Sequence, residues 1–181
     1  MASIRGFQMK KVKRTFGTEG YGCTATLYLD GKKIGTYADY GDGAMGNISY
    51  ISKDAEIEMV RFIIAYAKEC ENDFMIGLYR ECPERFREEC ERFKKYHPYI
   101  PDEDITIKTM ASNSIEYVVS DFLKLLDNEK EFKKYIKQGY KAISIDGNMV
   151  SAYPPQWSNE KIEKAAKGAK VYYSLTDFCI H

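Results

Sequence analysis

Gly41-Asp42-Gly43-Ala44-Met45-Gly46 carries the spacing G-x-G-x-x-G. In a dinucleotide site such glycines let a pyrophosphate approach the backbone, and the helix that follows aims its first N–H groups at the anion. That chemistry requires a strand before the glycines, a helix starting on the loop and an acid about 20 residues further on. A strand is expected before this loop. The next helix, however, is expected only from about Lys53, beyond Asn47 to Ile51, and Asp39 and Asp42 would repel a phosphate. The loop therefore reads as a glycine-rich connection after a hairpin, and Gly17 to Gly22 reads as a similar turn. No G-x-x-x-x-G-K-[ST] run occurs, and no cofactor is expected.

Cys70, Cys82, Cys90 and His97 gather four possible metal ligands in one region, at gaps of 12, 8 and 7 residues. Structural zinc pairs its ligands two to four residues apart, so that one turn presents both. Cys90 also falls between Phe86 and Phe93 at helical spacing, where a thiol serves as a small apolar group. No metal site is expected. Nucleophilic catalysis has little to draw on: two histidines (His97 and His181) and no G-x-S-x-G. A Cys–His pair assembled in space stays open. The trio Asp102-Glu103-Asp104 reads as a solvated turn, and no catalytic residue is assigned.

Basic residues are the better candidates. Arg5 to Arg14 holds Arg5, Lys10, Lys11, Lys13 and Arg14 with no acid, a local charge of +5, and Lys32-Lys33 follows a hairpin turn. Lys130 to Lys141 carries a local +4, whereas Asp39 to Asp73 carries −5. Lys plus Arg equals Asp plus Glu at 27 each, so a neutral total hides polarised segments. Polarised surfaces steer association with charged partners. Lysines interleaved with Phe and Tyr suit contact with a phosphate backbone, DNA or RNA. Lys10, Lys11, Lys13, Arg14, Lys32 and Lys33 are taken as the expected partner contact.

The elements that must position these residues follow from pattern. Thr24 to Leu29 is β-branched and aromatic, Asp30-Gly31 is a hairpin turn, and Lys33 to Tyr40 returns as the partner strand. Ser52 caps a helix whose apolar stripe (Ile57, Val60, Ile64 and Ala67) is expected to cover that sheet. A second helix is expected from Pro83 to Tyr96, carrying Phe86, Cys90 and Phe93. Ile105-Thr106-Ile107 is expected as a short strand. Asn113 with Glu116 resembles a capping box and opens a third helix. A separate short helix runs from Glu129 to Lys137. Then come a hairpin about Asp146-Gly147-Asn148, a helix from Ser158 to Lys167 and a final strand from Val171 to Leu175.

Clustered strands point to an α+β fold, an antiparallel N-terminal sheet packed on helices with a second hairpin and strand near the C-terminus. Residues 1–181 are read as a single domain. The 97–104 loop is the seam if it divides into two lobes, 1–97 and 105–181, sharing a core. Apolar residues at 44%, with 15 Tyr and 9 Phe, exclude a disordered chain. No apolar run reaches the length of a membrane span and no secretory leader is read, so reduced thiols and a cytoplasmic location are expected.

The run TATLYLDGKKIGTYADYGDGAMGNISYIS resembles small accessory proteins carried by phages and other mobile elements. The size and the lack of catalytic motifs are similar to anti-CRISPR proteins that inhibit Cas9. The resemblance covers residues 10 to 70 and carries over no site residue. It implies a non-enzymatic inhibitor that binds a Cas9-type nuclease or its nucleic-acid-loaded complex. Two alternatives stay open: a nucleic-acid-binding accessory protein with no such target, and a small enzyme using a cysteine.

Overall fold

The computed structural model describes residues 2–44, 46–69, 83–102, 104–105 and 114–180. It divides into two compact units, residues 9–120 and residues 121–181 with 1–8. After a two-residue strand β1 (Ser3–Ile4), the first unit is built on β2 (Gln8–Phe16), β3 (Tyr21–Leu29), β4 (Lys32–Ala38) and β5 (Asn47–Tyr50). These make one four-stranded sheet in the order β2-β3-β4-β5. Along β3, buried Cys23, Ala25, Leu27 and Leu29 alternate with half-buried Thr24, Thr26 and Tyr28, as a one-sided sheet requires. Asp30 and Gly31 both take positive φ, 48° and 77°, the turn whose twist matches its strands. Across that hairpin Tyr28 lies opposite Lys33 and Thr26 opposite Thr36.

The Ser52 hydroxyl accepts the Ala55 N–H at 3.1 Å and starts α1 (Lys53–Glu69). The helix packs on β4 and β5, burying Ala55, Met59, Val60, Ile63 and Ile64. One sheet face is thereby covered, as expected, while Thr36 and Ser49, opposite one another, stay exposed on the other. At about 25 cal/mol per Å² of apolar surface, Met59, Val60, Ile63 and Ile64 each contribute about 2 kcal/mol. α2 (Pro83–Tyr96) begins on its proline, whose missing N–H costs nothing there. Its Cys90 packs against a cluster of Val60, Ile64, Ile100 and Ile105.

The second unit has a three-stranded antiparallel sheet in the order β7-β6-β8, from β6 (Ala142–Asp146), β7 (Met149–Tyr153) and β8 (Lys170–Tyr172). α4 (Asn159–Ala166) is capped by the Ser158 hydroxyl and ends at Lys167 in the left-handed region. Phe178 stacks on Tyr172 at 4.5 Å and meets Phe132 at 5.5 Å. β1 pairs parallel with β9 (Cys179–Ile180), and the Ala2 N–H donates to buried Glu129 at 2.9 Å. Lys133 Nζ donates to the other Glu129 oxygen at 2.6 Å. Burial pushes this carboxyl up, but the two hydrogen bonds and the nearby positive charge outweigh it and hold it below its ordinary value.

The fold is α+β, with hairpins where they were expected. Three local expectations are corrected. The helices expected to be separate over 115–126 and 129–137 are one, α3 (Ser114–Lys137). Only Asp127-Asn128 intervenes, with no Gly or Pro, and the Lys130–Asp127 ion pair spans the junction. The final strand stops at Tyr172, because the Asp177 carboxylate takes the N–H groups of Tyr173 and Ser174 and folds Leu175–Phe178 into a 3₁₀ turn. Ile105 is helical rather than extended, following the Asp104 N–H to Pro101 carbonyl bond. Thr106, Ile107, Asn113, Cys70, Cys82, Glu103 and His181 lie outside the described residues, as do the side chains of Ala67 and Phe86.

Candidate partner-binding surface

Four of the six expected contact residues lie on β2, which ends the sheet order, and two open β4. The fold brings one of them to an aromatic ring and sets a second across the hairpin from the same residue. Lys10 Nζ sits 4.2 Å from the Tyr28 ring centre, and Lys33 lies opposite Tyr28 in the hairpin. A cation over a tyrosine face is held by the ring quadrupole, which orients Lys10 without neutralising it. Lys11, Lys13, Arg14, Lys32 and Lys33 are exposed. Lys11 takes φ 55°, an uncommon state for a side-chain-bearing residue, and interrupts the alternation along the strand.

Charge accounting separates the two basic segments found in the sequence. On α3, Lys130 pairs with Asp127 at 3.3 Å, Lys133 with Glu129 at 2.6 Å and Lys134 with Glu131 at 3.0 Å. These are one-turn pairs that solvate a helix face and neutralise it locally. Among the described residues, no carboxylate pairs with Lys11, Lys13, Lys32 or Lys33. These three helix lysines are matched from within. Those four sheet lysines are not.

The glycine loop stands at the opposite end of the same strands and is occupied by the chain itself. Gly41 N–H donates to the Asp39 carboxylate at 2.8 Å, Ala44 N–H to Asp42 at 3.2 Å and Gly46 N–H to Glu116 at 3.0 Å. Three donors that a phosphate would need are therefore turned to carboxylates. The loop also clasps the β2–β3 turn: Glu19 N–H donates to the Gly41 carbonyl at 2.8 Å, and Thr15 Oγ1 to the Asp39 carbonyl at 3.0 Å. Gly41, at φ 69°, lies so close to the Gly20 carbonyl that a Cβ would collide with it. At Gly46 a Cβ would strike the Tyr37 hydroxyl. These glycines serve close backbone packing.

Of the residues considered for catalysis, His97 is held by its neighbours. Its Nδ1 shares a hydrogen bond with the Tyr99 hydroxyl at 2.9 Å, lies 3.7 Å from Glu56, and its ring stacks on Phe93. Burial first, and then the Glu56 charge, pushes both Tyr50 and Tyr99 up to about 12. Both hydroxyls therefore stay protonated at neutral pH. A cavity of about 350 Å³ opens beside this cluster, lined by Arg61, Ile64, Ala65, Tyr99, Ile100, Pro101 and Asp104. Cys23 is buried, and burial followed by the Asp39 charge raises its thiol against the opposing Arg14, so it stays an unreactive thiol at neutral pH. Among the described residues no group of three or more His, Cys, Asp or Glu is placed to hold a metal ion. No helix among them is long and apolar enough to cross a membrane.

No protein-family model, curated protein or solved structure matches the chain.

Two features of this surface escape a reading of the sequence. Glu116 accepts the Gly46 N–H, 70 residues away in sequence. Phe16 and Tyr21 flank the Gly17–Gly20 turn and meet edge to face at 5.0 Å, with both rings in solvent. A sequence signal existed, since aromatics bracketing a tight turn at a hairpin end have little core to enter.

Proposed function

We propose that the chain is a non-enzymatic binding protein that inhibits a Cas9-type nuclease by engaging its nucleic-acid-loaded complex in the cytoplasm. One observation carries this reading: Lys11, Lys13, Lys32 and Lys33 lack carboxylate partners among the described residues, whereas Lys130, Lys133 and Lys134 of α3 have them. A cation without an intramolecular partner is available to a phosphate, and each phosphate neutralised releases condensed counterions. Lys10, Lys11, Lys13, Arg14, Lys32 and Lys33 are the proposed contact. The unreactive Cys23 thiol supports binding over a cysteine-based reaction.

A mobility-shift and cleavage assay tests the proposal, using duplex and single-stranded DNA with and without guide-loaded Cas9. The expected result is a shifted complex containing the nuclease and loss of DNA cleavage. A shift on DNA alone, with cleavage unimpaired, would replace the proposal with a nucleic-acid-binding protein that has no nuclease target.

A further inference from the structure

The end of the sheet that carries the glycine clasp has a different surface from the basic end. Phe16 is 75% exposed and Tyr21 82%, a large apolar area to leave in water at one place, and Tyr40 is 62% exposed. Phe16 and Tyr21 are in contact, and the Tyr40 carbonyl abuts Gly17, next to Phe16. The same clasp brings in carboxylates. Glu19 and Asp42 are exposed, Glu19 lying over Gly43, and half-buried Asp39 donates its N–H to the Cys23 carbonyl. Arg14 is the cation at this end, felt by the Cys23 thiol together with Asp39.

We infer that Phe16, Tyr21 and Tyr40, rimmed by Glu19 and Asp42, form a docking face for an arginine-bearing segment of a partner protein. The chemistry chooses the occupant. A guanidinium stacks flat on an aromatic face, and its N–H fork fits carboxylates beside the ring. A phosphate chain could use the rings for stacking, but it would meet the three acids. Exposed aromatics that take an arginine at a water-excluding contact are the residue types that dominate interface energies. The Asp30-Gly31 turn lies about 26 Å from the aromatic end, along the nine residues of β3 at ~3.3 Å per residue. That is beyond the ~10 Å over which salt screens exposed charges, whereas Arg14 stands two residues from Phe16. This inference goes beyond the nuclease proposal, because it needs no nuclease to be tested.

Fluorescence anisotropy of a labelled hexa-arginine peptide, titrated with the full chain in physiological salt, reads the docking directly. The expected result is saturable binding, weaker for hexa-lysine, and lowered about tenfold by Phe16→Ala with Tyr21→Ala. Both rings are exposed, so the melting temperature should hold. Glu19→Gln with Asp42→Asn, which leaves the rings untouched, should weaken binding several-fold. Unchanged hexa-arginine binding in both double variants overturns the inference. So does a double ring variant that loses affinity for oligothymidylate rather than for hexa-arginine. If the peptide binds as expected while Cas9 cleavage is unaffected, the nuclease proposal fails and the docking face stands.

Discussion

The two ends of the four-stranded sheet use the same strands and present opposite chemistry. At the Asp30-Gly31 end, Lys10 and Lys33 flank Tyr28, and the exposed lysines nearby have no carboxylate partner among the described residues. At the Gly41 end, carboxylates bind the loop's own N–H groups and exposed aromatics stand beside them. The G-x-G-x-x-G spacing suggests a phosphate site, but the acids and the late helix start already read the loop as a connection. The hydrogen bonds agree, because the loop's donors are satisfied from within and Lys11, Lys13, Lys32 and Lys33 are not. What an arrangement is free to bind depends on what its own chain has already taken up.

Three variants break or sharpen this contrast. Gly41→Ala should have the largest effect. It forces a side chain into the left-handed region and against the Gly20 carbonyl, at a cost of roughly 3 kcal/mol. Thermal denaturation should show that loss, and hexa-arginine binding should fall while the lysine end keeps its affinity for nucleic acid. Glu129→Gln lies in the other unit and serves as the control for stability without surface change. Removing the charged acceptor of the Ala2 N–H and Lys133 should cost about 1 to 2 kcal/mol and leave both ends of the sheet intact.

The same residue sets a pH dependence. Its carboxyl titrates lower folded than unfolded, so its contribution is fully present above the ordinary carboxyl value of 4.5 and disappears as pH falls through the folded value. Denaturation midpoints should therefore drop below about pH 4.5 in the native protein and drop less in Glu129→Gln. The smallest effect belongs to Lys11→Gly. Relief of the positive φ should raise stability by about 0.5 to 1 kcal/mol, and loss of one cation should lower the salt slope of nucleic-acid binding by about one.

Local chemistry was legible from the sequence, and distant pairing was not. Asp30-Gly31 announced its hairpin because two adjacent residues supply the whole turn geometry. Ser52 announced its helix for the same reason. The parallel pair of Ser3–Ile4 with Cys179–Ile180 could not be read, since two-residue strands at the two ends of the chain leave no periodicity. Glycines 41, 43 and 46 were visible, yet their meaning lay in the 17–20 turn and in Glu116, neither of which the motif includes. The six basic site residues were named by local charge alone. Separating them from Lys130, Lys133 and Lys134 needed the one-turn ion pairs, which i and i+3 or i+4 spacing on a continuous helix would have revealed.

The central claim is that the sheet lysines without carboxylate partners, rather than basic charge in general, make the partner contact. The direct measurement is the affinity of guide-loaded Cas9 for two charge-reversed chains carrying equal total charge. One carries Lys10→Glu, Lys11→Glu and Lys13→Glu, and the other reverses three paired lysines of α3, Lys124→Glu, Lys130→Glu and Lys134→Glu. The account predicts a loss of about 100-fold with a flattened salt dependence for the first, and a change within about twofold for the second. Equal losses for the two chains would contradict it.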